Sequence, residues 1–232
     1  MDKKCVNLIS GGIDSSTLTL KLQKDGYEVY GVMFDYGQEN FDITYEKAKK
    51  FTEKRGVTLK VITIPQDWVK SSILKGQFQE EGCTEDNLYQ QNIKEMFWIP
   101  GRGIMFWTLA ASYASTLGIE EVYASIQMDT KDWKNYDILN DKWRFGNGEV
   151  TPAFIELMND VIRYSVKTPI KFIAPFIEDR LHANETAMLG HELGLDFDDT
   201  HSCRYAPVCG QCAQCLIRDN RMKYIEENGN EE

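Results

Sequence analysis

Long apolar runs are missing from this chain. Its most apolar stretch, Gly103 to Ala114, is far shorter than the roughly 20 residues a bilayer span requires, so no membrane span is expected. Proline is scarce at 6 residues and glycine modest at 17 among 232, which excludes collagenous and linker-dominated architectures. Lysine and arginine gather into no run, and 26 basic against 36 acidic residues give a net charge of −10 and a pI near 4.9. Such a field repels phosphate backbones at long range, so general nucleic-acid binding is disfavoured. Internal repeats, low-complexity tracts and a linker between independent domains are also lacking. The opening MDKKCVNLISGG lacks a signal peptide's apolar region and reads as a first strand. What is present, 42% hydrophobic and 27% charged residues, is the composition of an ordinary soluble domain, expected in the cytoplasm.

Strand and helix signals alternate along the chain. Cys5 to Ser10 is a short apolar run that ends at Gly11-Gly12, and Ser15 to Lys24 has helical character. Glu28 to Phe34 reads as a second strand, Ile43 to Arg55 as a charged helix, and Thr58 to Ile64 as a third strand. Pro65 to Trp98 breaks the rhythm and suggests a flap or partly helical insert. Arg102 to Leu117 is an apolar helix and Glu121 to Ile126 a fourth strand, followed by irregular, aromatic-acidic sequence from Gln127 to Val150. Thr151 to Arg163 reads as helix, Lys171 to Phe176 as strand, Ala183 to Leu193 as helix, and a last helix starts near Leu216 before a frayed tail, Asn228 to Glu232. This pitch implies right-handed βαβ units: an α/β, doubly wound, mainly parallel sheet with helices on both faces. The apolar segment Gly103 to Ala114 is expected in the core, with a homodimer interface as the alternative.

Cysteine is concentrated at one place. Of 6 cysteines, Cys203, Cys209, Cys212 and Cys215 lie within one short segment, whereas Cys5 and Cys83 stand alone and read as small hydrophobic or incidental residues. In a reducing compartment such a cluster favours metal over disulfides. Four thiolates can surround a tetrahedral zinc ion, leaving no open position for catalysis, so the site is expected to be structural. An iron–sulfur cluster or a redox pair would use the same residues, and His201 is an alternative to Cys203 as fourth ligand.

The most informative residues are Ser10-Gly11-Gly12-Ile13-Asp14-Ser15-Ser16, followed by Thr17, between an apolar strand and a helix start. Two glycines let the backbone approach an anion, and the helix directs its free N–H groups and positive end toward it. Ser15 and Ser16 add hydroxyls, and Asp14 can cap the helix or position magnesium. A Gly-Lys-Ser/Thr sequence is lacking, so γ-phosphoryl transfer is not indicated. A simple strand–turn–helix connection would also use these residues. Asp35-Tyr36-Gly37-Gln38 follows the second strand, at the carboxyl edge where open α/β sheets bind their ligands. Asp35 serves equally as a turn residue.

Ser-Gly-Gly-Ile-Asp-Ser resembles the signature of the pyrophosphate-loop ATPases, which cleave ATP between the α and β phosphates. With Asp35 to Gln38, Ile99-Pro100-Gly101-Arg102 and the terminal cysteines in the same order, the chain from Cys5 to about Arg218 resembles the 7-cyano-7-deazaguanine synthase family. The resemblance implies an adenine nucleotide alpha hydrolase-like fold. Residues 1–200 would form the ATP-binding domain, and residues 201–232 a small zinc-binding element with the terminal helix packed on it. It also implies ATP, Mg2+ and Zn2+ as cofactors, and conversion of 7-carboxy-7-deazaguanine and ammonia to the nitrile through an amide, with release of AMP and pyrophosphate.

On that resemblance Ser10 to Thr17, Asp35 and Gln38 would hold ATP, and Asp14, Ser15 and Arg102 would act in activation. Asp129, Glu149 and Phe154 are candidates for the deazaguanine ring, although such residues are often merely solvated or packed. The departures are specific. Gly103 stands where the family's Val-Pro-Gly-Arg-Asn segment ends in asparagine, and the segment from Asp129 to Phe154 does not match the family's substrate segment. Ala183-Asn184-Glu185 lacks the lysine of the family's Lys-x-Glu, and Cys203 and Cys209 enclose fewer residues than usual. Two alternatives follow: a divergent homologue that stops at the amide or joins the acid to an amine on a protein, as in an anti-phage system, or a zinc-containing binding module with a vestigial loop.

Overall fold

The computed structural model describes residues 3–71, 73–75, 98–127 and 151–229. Strand β1 (Lys3–Leu8) is apolar at its centre, and Cys5 and Val6 are wholly buried. After it come helix α1 (Ile13–Lys24), strand β2 (Tyr27–Asp35), helix α2 (Phe41–Lys54) and strand β3 (Thr58–Thr63). The later elements are α3 (Arg102–Leu117), β4 (Glu121–Tyr123), α4 (Pro152–Ile162), β5 (Lys171–Ile173), the single turn α5 (Pro175–Glu178), α6 (Ala183–Glu192) and α7 (Ala213–Asn228). The five strands form one parallel sheet in the order β3-β2-β1-β4-β5. The expected doubly wound architecture is therefore present, and its order reverses direction between β1 and β4.

Two apolar layers cover the sheet. On one side Val6, Val32, Val122 and Phe172 pack with Trp107, Ala110, Ala111 and Ala114 of α3 and with Ile155, Met158 and Ile162 of α4. The small residues of α3 bring its backbone close to the strands, and Trp107 meets Phe172 with ring centroids 4.7 Å apart. The apolar segment of α3 is thus core, although Ile104 remains exposed. On the other side Cys5, Leu18, Leu22, Val29 and Met33 pack together, and burial pushes the Cys5 thiol up to about 12, as expected for an inert core residue. Among the described residues no helix is long and apolar enough to cross a membrane.

Several boundaries differ from the sequence reading. The fourth strand ends at Tyr123 rather than Ile126, with Ala124 N making a last bond to Ile173 O of β5. The fifth ends at Ile173, since Pro175 opens a short helix whose first turn needs no N–H there. The last helix begins at Ala213, not near Leu216, with Cys212 as its N-cap. The insert beginning at Pro65 and the aromatic-acidic stretch lie largely outside the described residues.

Candidate active site

The β1–α1 loop is shaped by backbone geometry. Gly11 has φ +77°, and a Cβ there would lie 2.4 Å from the Thr44 carbonyl oxygen of α2. Any side chain would therefore force the loop off α2. Gly12 is the N-cap of α1 and, having no side chain, leaves the first-turn amides uncapped, with the positive end of the helix at the cleft. Ser15 Oγ accepts from Ser10 N at 3.1 Å and donates to Gly12 O at 3.3 Å, and Ser16 Oγ donates to Gly12 O at 2.9 Å. Both hydroxyls therefore brace the loop from behind. Beneath it, Asn7 Nδ2 donates to Ser15 O and to Thr19 Oγ1, so strand and helix are locked together.

A cleft of about 440 Å³ opens at the carboxyl ends of β1, β2 and β4, at the switch in strand order. Of the residues singled out in the sequence it gathers Ser10, Gly12, Ile13, Asp14, Gln38 and Arg102. Gln38 Nε2 donates to Phe34 O and its Oε1 accepts from Tyr36 N, which fixes the turn after β2. The Arg102 guanidinium lies over the Tyr36 ring at 5.7 Å. Phe34 and Phe106 stack at 4.3 Å and, with Tyr36, give the cleft an aromatic wall.

Other expected residues lie elsewhere. Asp35 Oδ1 accepts from Gly37 N, the turn role, and is not among the cleft-lining residues. Gly11, Ser15, Ser16 and Thr17 stand behind the lining, and Thr17 is wholly buried against Gly190 of α6. Phe154 is half-buried in the first turn of α4 and packs on the main core. Asp129 and Glu149 fall outside the described residues.

The sequence reading missed the C-terminal contribution. Arg204, Gln214 and Arg221 also line the cleft. Arg221 of α7 forks onto Asp14, with Nη1 3.0 Å from Oδ1 and Nη2 3.3 Å from Oδ2, and Gln127 Nε2 donates to Oδ1 at 2.8 Å. Basic charge thus reaches the loop from the far end of the chain. Glu185, by contrast, caps α6 by accepting from His182 N.

The cysteine segment adjoins the same wall. His201 N donates to Gly11 O at 2.8 Å, and Asn40 Nδ2 donates to Cys203 O at 2.7 Å. The Sγ atoms of Cys203, Cys209, Cys212 and Cys215 all lie within 4.8 Å of one another, with Cys203 to Cys209 at 3.6 Å, Cys203 to Cys212 at 3.9 Å and Cys212 to Cys215 at 3.7 Å. These spacings are too long for disulfides. They match the roughly 3.8 Å edge of a tetrahedron with metal–sulfur distances of about 2.3 Å. Burial pushes the Cys203 and Cys215 thiols up, so a cation is what would keep them as thiolates. The four-thiol set fits a closed metal centre. His201 is not part of it; its ring is buried, and burial holds its pKa below the usual value.

A family model described as queuosine biosynthesis protein QueC matches residues 4–226. The 7-cyano-7-deazaguanine synthase of Oceanobacillus iheyensis is 33% identical, across 98% of this chain and 95% of that protein. The 7-cyano-7-deazaguanine synthase of Methanobrevibacter smithii is 28% identical, across 97% of this chain and 96% of that protein. A solved 4-thiouridine synthetase–RNA complex with bound ATP is similar over 97% of this chain and 51% of its own, at TM-score 0.49 and 14% identity.

Proposed function

Since the chain belongs to the QueC family, we propose that it converts 7-carboxy-7-deazaguanine and ammonia into 7-cyano-7-deazaguanine through an amide, consuming ATP and releasing AMP and pyrophosphate. The observation that carries this reading is the uncapped, glycine-lined start of α1, set with three arginines around one cleft at the switch in strand order. Curated relatives named as synthases of that nitrile, aligned over nearly their full length, support the choice of product.

A carboxylate resists nucleophiles because of its own charge, and an amide oxygen is a poor leaving group. ATP supplies the remedy by making AMP the leaving group at each oxygen. The protein's part is to bind, to orient and to exclude water, because water attack would return the acid. Ser10, Gly12 and the first-turn amides of α1 receive phosphate oxygens, Asp14 holds magnesium, and Arg102 balances charge at the reacting carboxylate. The wall of Phe34, Tyr36 and Phe106 offers a face for a planar ring. Cys203, Cys209, Cys212 and Cys215 hold zinc as a structural ion beside the loop.

The test is incubation with ATP, magnesium and 7-carboxy-7-deazaguanine, with and without ammonium, followed by product mass. AMP with the nitrile is the expected outcome, and Asp14→Ala is expected to abolish AMP formation while leaving the metal bound. Gly103, where the family pattern ends in asparagine, motivates a second reading in which the reaction stops at the amide or joins the acid to another amine. That reading predicts AMP with the amide or with a mass-shifted polypeptide. Failure to form AMP under any of these conditions would reject both.

A further inference from the structure

Between Lys4 and Lys21 the chain has no lysine or arginine, so the phosphate-facing loop carries no cation of its own. Helix α7 brings one. Arg221 is 9% exposed, lines the cleft and spends both terminal nitrogens on Asp14, while its Nε is buried and makes no hydrogen bond among the described residues. Asp14 is better supplied, because Gln127 also donates to its Oδ1. The guanidinium thus stands at the mouth of a helix N-terminus with its fork on a carboxylate that has a second partner and with one donor unmet.

We propose that Arg221 is a phosphate-binding residue of the nucleotide site, held on Asp14 until a nucleotide enters. The inference rests on the ATP reading above. A nucleotide arriving with its divalent cation gives Asp14 a stronger partner than an arginine, and the released fork matches a pair of phosphate oxygens. A short turn of the side chain also gives Nε an acceptor. In this arrangement the C-terminal helix completes a site that the loop begins, and one residue serves Asp14 and the ligand in turn.

The experiment is calorimetric titration of the metal-loaded full chain with magnesium pyrophosphate and, separately, with adenosine. For Arg221→Met the expected loss is about 30-fold in pyrophosphate affinity, with adenosine affinity unchanged within about twofold. Arg221→Lys keeps the charge but loses the fork, and about a fivefold loss for pyrophosphate alone is expected. Equal losses for both ligands would mean that Arg221 only holds the fold, and unchanged pyrophosphate affinity in Arg221→Met would mean that it faces no phosphate; either overturns the inference. Should Arg221→Met fail to fold, Arg221→Lys decides by the same comparison. A wild-type chain that ignores magnesium pyrophosphate removes the ATP reading itself and this inference with it. Wild-type binding with an indifferent Arg221 variant removes this inference alone.

Discussion

The two walls of the cleft are held by different forces. On the loop side, β1 pairs with β2 from Lys3 to Leu8, Val6 and Leu18 are wholly buried, and Gly11 rests on the Thr44 carbonyl. Hydrophobic burial and a parallel ladder give that wall its shape before any ligand arrives. The facing wall, from Phe197 to Arg221, pairs with no strand among the described residues. Its local apolar cluster is Ala213 with Leu216 and Ile217, and the Arg218 guanidinium fastens it to Thr200 Oγ1 and Phe197 O. Four thiols stand where a core would otherwise be. One wall is built by water leaving; the other gathers four thiols at the spacing of a tetrahedral metal site.

The strongest way to break this contrast is to remove a thiol. Cys212→Ser takes away one ligand and alters the N-cap of α7. Structural zinc contributes on the order of 10 kcal/mol to folding in small modules, so loss of the bound metal and the largest fall in melting temperature of any variant here are expected. Limited proteolysis should cut within residues 201–225 first and leave β1, α1 and β2 intact. An unchanged metal content and melting curve would mean that the thiols hold nothing.

A pair of glycine variants sharpens the same contrast on the loop side. Gly11→Ala combines a left-handed φ with a backbone contact at 2.4 Å, and about 3 kcal/mol of destabilisation, or roughly 6–12 °C, is expected. Gly12 has φ −95°, and an added Cβ meets nothing nearer than Ser10 Oγ at 3.4 Å. Gly12→Ala should therefore melt within about 2 °C of wild type and yet lose at least about tenfold in pyrophosphate affinity, because the methyl occupies the anion's approach. Equal melting temperatures for the two variants would refute the division of labour between these neighbours.

The contrast also explains what could be read in advance. The loop side was legible because its signals are local: an apolar run, two glycines, then a helix. Helix α3 matched its predicted bounds, Arg102 to Leu117, for the same reason. The cleft's other wall was harder to see. Ala213 to Cys215 falls inside the cysteine cluster, yet Cys212 is already the N-cap position of a helix, so α7 begins three residues before the expected Leu216. Arg221 and Asp14 are 207 residues apart, and no periodicity reports a contact across such a distance. Asp35 was open to a ligand role or a turn role, and in the fold its Oδ1 accepts from Gly37 N, which is the turn role.

The smallest expected effect lies at the seam between the walls. Asp199 is 2% exposed, pairs its Oδ1 with the Lys50 ammonium at 2.7 Å and accepts from Lys54 through Oδ2, both lysines on α2. Burial alone would push its carboxyl up, but hydrogen bonds and charge from the two lysines overrule it and hold its pKa below the usual value. A depressed folded-state pKa contributes stability in full above the unfolded value, near 4, and that contribution is lost as pH falls through the folded value. Both lysines are largely exposed and solvent screens them, so Asp199→Asn should lower the melting temperature by only about 2–4 °C at pH 7. The gap to wild type should close below about pH 4, because asparagine cannot titrate while the wild-type carboxylate becomes neutral. A gap that holds steady to pH 3 would show that shape rather than charge joins the 3-10 turn Phe197–Asp199 to α2, and the seam would then belong with the loop wall's kind of packing.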